Sequence, residues 1–175
     1  MGKKHVRRSR ELQFSDWDDV IHEVEELLEH GYTTTGNWTL GQASSHLAQW
    51  TTFPINGFPK SPFVIRLIFS TMNRLGVTRR LREKILNRGF QPGSPTKPST
   101  VPSAKLPDRE GVHQLKNAYM NARSHEGPLY PSPLFGEMTP EVYKRVSLLH
   151  AAHHLGFFQP EVPVPVEEPA THASA

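Results

Sequence analysis

The sequence predicts an all-α fold, and three observations indicate it. Apolar residues recur at three- and four-residue steps through the long segments, which is the period of one face of a helix. Residues that can cap a helix precede these segments, and glycine or proline follows several of them. No segment shows the two-residue alternation of a half-buried strand. The simplest arrangement is a four-helix bundle with an extra helical excursion.

The first two predicted helices have defined ends. Ser15 can cap the first helix, and Gly31 ends it. Its inward stripe consists of Phe14, Trp17, Val20, Ile21, Val24, Leu27 and Leu28. Thr39 and Gln42 have the spacing of a capping box, in which each side chain satisfies a free backbone amide of the other residue. A second helix therefore begins here and is predicted to stop at Pro54.

The remaining predicted helices lie on either side of a proline-rich segment. Residues 62–86 carry apolar residues at a helical period and are predicted to form two pieces that break near Gly76. A short helix is predicted over residues 108–123. Thr139 can cap a last helix, which is expected to run to about Phe158.

Three segments are predicted to be disordered termini or a linker. Residues 1–10 form a basic arm, residues 89–107 contain five prolines, and residues 160–175 form a proline-rich tail. Proline at this density cannot donate backbone hydrogen bonds or continue a helix. We therefore expect one helical bundle over residues 11–158, with an internal linker and two disordered ends.

Composition excludes several classes of site and partner. The chain has no cysteine, so it has no disulfide, no thiolate metal site and no cysteine nucleophile. Five of its cations lie in the first ten residues, which contain no acid, and without these five the net charge of +3 becomes −2. A domain with this charge is not a basic reader of nucleic acid, so the sequence argues against a nucleic-acid partner.

No apolar run approaches the roughly 20 residues that a membrane-spanning helix requires. The N-terminal charges are also not followed by the apolar segment of a secretory signal. We therefore expect a cytoplasmic protein without a membrane partner. The sequence leaves the oligomeric state open, including a homodimer.

Three of the ten histidines have the spacing of a metal site. His150 and His154 lie one turn apart on the last predicted helix, so both rings can reach one ion. His46 lies on the inward stripe of the second helix and adds a third imidazole. Three imidazole ligands with an open coordination position are typical of a hydrolytic or transfer metal site.

Spacing alone leaves alternatives open at this site. A histidine pair four residues apart is common on solvated helix faces, and His153 could replace His154 as the ligand. Trp38 and Trp50 could line a pocket or fill the core. The second nitrogen of each ligand ring would need a carbonyl or a carboxylate as a partner. The candidate carboxylates on the first helix are Asp16, Asp19 and Glu23.

Two segments resemble the DinB/YfiT-like superfamily. Residues 36–50, GNWTLGQASSHLAQW, look like its motif G-x-W-[ST]-x-x-Q-x-x-x-H-L, and residues 150–158, HAAHHLGFF, look like its closing H-x-x-x-H helix. The segments FSDWDDVIHEVEELL and PLFGEMTPEVYKRVSLLHAAHHL are similar to a bacterial branch known only as a domain of unknown function. The resemblance spans most of residues 12–158.

The resemblance implies a site, a cofactor and a class of activity. The superfamily's metal triad falls on His46, His150 and His154, with His153 as a neighbour of the ligands. Relatives are four-helix bundles that bind zinc, nickel or a similar divalent ion. Several are transferases or isomerases that use a low-molecular-weight thiol such as bacillithiol, mycothiol or glutathione. The implied function is a metal-dependent, thiol-using transferase, or a hydrolase, without an assigned catalytic side chain.

The sequence departs from the superfamily beside the metal triad. Many relatives have H-H-R-G-Q, whereas this chain has HHLGF at residues 153–157. Apolar Leu155 and Phe157 replace an arginine and a glutamine, so polar substrate contacts from these two positions are not expected. The alternative function is therefore a non-catalytic binding protein with a structural or vestigial metal site.

Overall fold

The computed structural model describes residues 8–60, 62–92 and 100–161. Within these ranges the chain is mostly helical, with six α-helices and one antiparallel sheet of two strands. The helices are α1 (Trp17–His30), α2 (Leu40–Asn56), α3 (Phe63–Arg74), α4 (Val77–Arg88), α5 (Asp108–Ser124) and α6 (Pro140–Leu155). The strands are β1 (Tyr32–Thr34) and β2 (Phe158–Pro160).

The helical class is confirmed, and the sheet is a correction to the all-α prediction. Thr33 of β1 lies opposite Gln159 of β2. Strands of three residues are too short to show a two-residue alternation, so their pairing was not visible in the sequence. α2 also continues past Pro54 to Asn56, because a proline near the end of a helix removes only one hydrogen bond of its ladder.

Four helices supply the hydrophobic core. Its helical members come from α1, α2, α5 and α6, and none comes from α3 or α4. The completely buried apolar side chains, with 0% exposure, are Val20, Val24, Leu27, Leu40, Leu115, Ala151 and Leu155. The core therefore includes α2 and α6, the two helices that carry the predicted histidine triad. Helices α3 and α4 lie outside it and correspond to the predicted helical excursion.

A close contact between α2 and α5 positions the start of α2. A β-carbon at Gly111 would lie 2.2 Å from the carbonyl oxygen of Gly41, so only glycine fits at this crossing. The Asp108 carboxylate accepts hydrogen bonds from the Gly41 amide at 2.7 Å and the Tyr32 hydroxyl at 2.9 Å. These contacts satisfy free amides at the first turn of α2, the helix that carries His46.

Parts of the predicted arm, linker and tail make defined contacts. Arg10 donates to the Phe158 carbonyl oxygen at 2.8 Å and forms an ion pair with Glu23. The Gln42 side chain donates to the Pro102 carbonyl oxygen at 2.9 Å. Proline lacks a donor but keeps its acceptor, so a proline-rich segment can still bind a helix end. The rest of these predicted segments, residues 1–7, 93–99 and 162–175, lies outside the described residues.

The excursion is attached to the rest of the protein mainly through α4. α3 has no buried residue, and α4 buries only Thr78. Arg82 of α4 donates to the carbonyl oxygen of Phe135 at 2.9 Å and to that of Glu137, in the segment before α6. Among the described helices, none combines the length and the apolar character needed to cross a bilayer.

Candidate metal centre

The predicted ligands His46, His150 and His154 come together between α2 and α6. One ring nitrogen of each histidine lies within 4.8 Å of the corresponding nitrogen of the other two. The ring centroids are 5.2 Å apart for His46 and His150, 4.8 Å for His46 and His154, and 4.7 Å for His150 and His154. The three rings are therefore close enough to hold one metal ion.

The two rings on α6 meet because four residues make about one helical turn. The Nε2 atoms of His150 and His154 lie 3.0 Å apart, at hydrogen-bond distance. Tetrahedral coordination with metal–nitrogen bonds of about 2.1 Å places ligand nitrogens about 3.4 Å apart. The widest nitrogen pair of the triad, within 4.8 Å, would therefore have to close by roughly 1.4 Å, which side-chain rotation can supply.

The ring of His46 is held by a backbone carbonyl. Its Nδ1 lies 2.9 Å from the Thr100 carbonyl oxygen, and both residues are buried. A carbonyl oxygen can only accept, so Nδ1 carries the hydrogen and Nε2 keeps a free lone pair. An outer hydrogen bond of this kind sets the tautomer and the orientation of a metal-binding histidine.

The carboxylates predicted to orient the rings are engaged elsewhere. Asp16 forms an ion pair with Lys144, Glu23 pairs with Arg10, and Asp19 accepts amide hydrogens at the start of α1. The three candidate carboxylates of α1 are therefore not the partner of His46, and the other kind of partner that the sequence left open, a carbonyl oxygen, holds this ring. Every residue carries a backbone carbonyl, so no side-chain pattern in the sequence could have pointed to Thr100.

His153 does not belong to the triad, which contains His154 instead. Its ring lies 6.0 Å from that of Phe90 and 5.5 Å from that of Phe157, and its buried Nδ1 has no hydrogen-bond partner in the part of the chain that the structure describes. Burial and the nearby charge of Arg8 lower the pKa of His153 to about 4. Of the two neighbouring histidines that spacing left open, His154 is therefore the one whose ring lies close to those of His46 and His150.

Aromatic side chains surround the three rings. Trp38 is stacked on His154 with 1° between the ring planes and 5.2 Å between the centroids. Trp50 and Phe90 lie 5.9 Å and 5.0 Å from His150. The Nε1 group of Trp50 is buried and has no hydrogen-bond partner among residues 8–60, 62–92 and 100–161. Trp38 and Trp50 therefore contact the site. Phe90 contacts it too, although the sequence analysis placed this residue in a linker, and no pattern in the neighbouring residues indicated the contact.

Burial keeps the triad neutral at ordinary pH. It lowers the pKa of His150 and of His154 well below the usual value, and repulsion between neighbouring rings adds to this effect. Burial also lowers the pKa of His46, although the bond to Thr100 offsets part of the change. The neutral imidazole is the form that binds a metal, so protons compete weakly for these nitrogens near pH 7.

Comparison with known proteins identifies a family but no activity. Residues 6–161 match the family described as "Protein of unknown function (DUF1569)", and the match includes all three histidines. A search of curated proteins and a search of solved structures each gave no match. The predicted kinship to a domain of unknown function is confirmed, whereas these comparisons do not connect the chain to the DinB/YfiT-like superfamily. Because the match covers more than half of the chain, the protein belongs to the DUF1569 family.

Proposed function

We propose that His46, His150 and His154 bind one divalent ion, such as zinc or nickel, in a DinB-like helical bundle. The observation that carries this proposal is the convergence of three ring nitrogens within 4.8 Å in a largely buried, aromatic environment. A buried imidazole nitrogen without a partner costs about 1–3 kcal/mol, and one ion would satisfy all three rings. Imidazole nitrogens are common ligands of zinc and nickel.

The residues around the triad are suited to holding the ligands and excluding water. The Thr100 carbonyl oxygen holds His46 in the tautomer that leaves Nε2 free. Trp38 restrains His154 by stacking on its ring. A divalent ion with three imidazole ligands keeps a position for water or a thiol and lowers the pKa of that ligand toward neutrality.

We propose a thiol-using transferase as the activity, in a cytoplasmic location. The chain has no cysteine, so a thiol nucleophile would have to come from outside, as bacillithiol, mycothiol or glutathione. Leu155 is fully buried in the core, and Phe157 is a partly buried residue packed against that core, so neither of these two apolar residues supplies a polar contact to a substrate. This favours the second candidate, a non-catalytic protein whose ion is structural.

Metal analysis of protein purified without a metal-affinity step tests the site. The expected result is one equivalent of a divalent transition metal, and its absence after supply of zinc, nickel and cobalt would reject the site. Loading with cobalt then tests the activity class, because thiolate bound to cobalt adds a charge-transfer absorption band. If none of the three thiols changes the spectrum, the thiol-using transferase is rejected and the structural role of the ion is the remaining candidate.

A further inference from the structure

Helix α3 exposes an apolar stripe that the described part of the chain does not cover. Val64, Ile68 and Leu75 lie at steps of four and seven residues, which places them on one side of the helix. Together with Phe63 and Leu67 they are between 53% and 75% exposed. Contiguous apolar surface of this kind on a protein marks a site of interaction.

The hairpin of α3 and α4 is also strongly basic. The hairpin and the three residues before it, residues 60–88, contain eight lysine and arginine residues and one acid, Glu83, which gives this segment a net charge of +7. Glu83 lies 3.7 Å from Arg79 in an ion pair. The exposed cations that form no ion pair among the described residues are Arg66, Arg74, Arg80, Lys84 and Arg88. An uncovered apolar stripe thus lies within a surface that attracts anions.

We propose that this α3–α4 hairpin binds the surface of a membrane that contains anionic phospholipid. An amphipathic helix with a basic surround lies at the boundary between headgroups and acyl chains, where its apolar side chains leave water. Lysine and arginine side chains near an anionic leaflet add electrostatic attraction to this apolar contact. This mode of binding needs neither a spanning helix nor a targeting signal, and the sequence-based expectation of no membrane partner rested on the lack of these two features.

Charge decides between a lipid surface and a second copy of the chain. In a two-fold dimer the same patch of each copy meets itself. A dimer through the hairpin would therefore bring two surfaces of net charge +7 together, which costs electrostatic energy. An anionic lipid surface instead complements both the charge and the apolar stripe.

Sedimentation with lipid vesicles tests the proposal on the full chain. The vesicles contain phosphatidylcholine alone or with about 30% phosphatidylglycerol, which supplies the anionic charge. We expect the protein to sediment with the phosphatidylglycerol vesicles only, and less so when salt rises from about 0.1 M to about 0.5 M. Ile68→Asp should weaken binding at least about tenfold, because an apolar contact is replaced by a repelled charge. Since α3 supplies no core residue, this variant should keep the wild-type circular dichroism.

Two matched controls separate a specific surface from general stickiness. Met120 on α5 is 61% exposed, and Met120→Asp should leave vesicle binding unchanged. The pair Arg80→Gln and Lys84→Gln should reduce binding, whereas Lys105→Gln with Arg109→Gln, outside the hairpin, should not. Absence of binding, equal binding to both vesicle types, or equal losses in the test and control variants would overturn the proposal. So would a dimer in light scattering that Ile68→Asp converts to a monomer, because the second copy would then be the occupant.

Discussion

The α2–α6 contact and the α3–α4 hairpin both depart from the usual distribution of side chains. The first buries polar groups, and the second exposes apolar groups. Between α2 and α6, titratable rings lie inside, against aromatic residues and a backbone carbonyl. On α3, large aliphatic residues lie outside, without a buried residue on the helix. Folding alone favours neither arrangement, because buried imidazoles lose hydrogen bonds to water and exposed aliphatic groups keep their contact with it.

The comparison separates stability from function. The core draws on the helices that carry the histidines and not on the hairpin. A change in the hairpin should therefore affect membrane binding and leave folding intact. A change between α2 and α6 should affect both metal binding and folding. Each of the following predictions tests one side of this contrast.

Truncation of matched leucines should give the largest difference between the two regions. Leu115 of α5 is 0% exposed and Leu67 of α3 is 57% exposed. Leu115→Ala should lower the free energy of unfolding by about 2–5 kcal/mol, because it removes buried methyl groups and leaves a cavity. Leu67→Ala should change it by less than about 0.5 kcal/mol. Urea unfolding measures both values, and a comparable loss for Leu67→Ala would mean that the hairpin belongs to the core.

Removal of one ligand histidine should have the next largest effect. His46→Ala, His150→Ala and His154→Ala should each weaken metal binding by more than about 100-fold, since loss of an outer partner alone costs 10–100-fold. His153→Ala is the control and should stay within about tenfold of wild type. Competition with a chromophoric chelator gives the affinities. Equal losses for His153→Ala and His154→Ala would show that the ligand was assigned to the wrong ring.

Acid should destabilise the metal-free protein through the same rings. Burial lowers the pKa of His46, His150 and His154 in the folded state, so the unfolded state binds more protons than the folded state below about pH 6.5. Above that pH the rings are neutral in both states and cause no loss of stability. As the pH falls, proton uptake by the unfolded state lowers the free energy of unfolding. Each ring that stays neutral should account for a loss of about 1 kcal/mol between pH 7 and pH 5.5.

Thermal or urea unfolding of the chelator-treated protein over this pH range measures the loss. His154→Gln should reduce the pH dependence because it removes one of the depressed groups. His22→Gln should not, since its side chain is 78% exposed. A stability that does not change between pH 7 and pH 5.5 would contradict the buried, neutral state of the triad.

Weakening the contact of Asp108 with the start of α2 should give the smallest change in the free energy of unfolding. Asp108→Asn keeps the shape of the side chain but removes the charge that receives hydrogen bonds from Gly41 and Tyr32. The expected loss of unfolding free energy is about 1–2 kcal/mol, less than for complete loss of a hydrogen bond to a charged group, because the amide oxygen can still accept one of the two bonds. Glu110→Gln, at an exposed position in the same first turn of α5, serves as the control. An equal loss of unfolding free energy in both variants would mean that the effect comes from the net charge of α5 and not from the hydrogen bonds of Asp108.

The candidate ligands could be predicted because helical spacing carries three-dimensional information. Four residues make one turn, so His150 and His154 had to share a face of α6 if that helix formed. His46 was added from its place on the inward stripe of another helix, and the resemblance implies the same three residues. The partners of the rings could not be predicted, because Thr100 acts through its carbonyl group and Phe90 through a contact with a helix distant in sequence. Neither residue has a property in the sequence that distinguishes it from its neighbours.

The sequence by itself determined the helices, the caps Thr39 and Thr139 and the stripe on which each histidine lies, because these depend on residues three or four positions apart. The predicted cap of α1 was wrong by one residue, since Asp16 and not Ser15 caps this helix by forming a capping box with Asp19. Only the tertiary structure decided that β1 pairs with β2, that the rings of two helices meet, and that none of the described segments covers the apolar stripe of α3. Periodicity shows which side chains share a face. Whether that face is buried depends on how distant segments pack together, which no local spacing encodes.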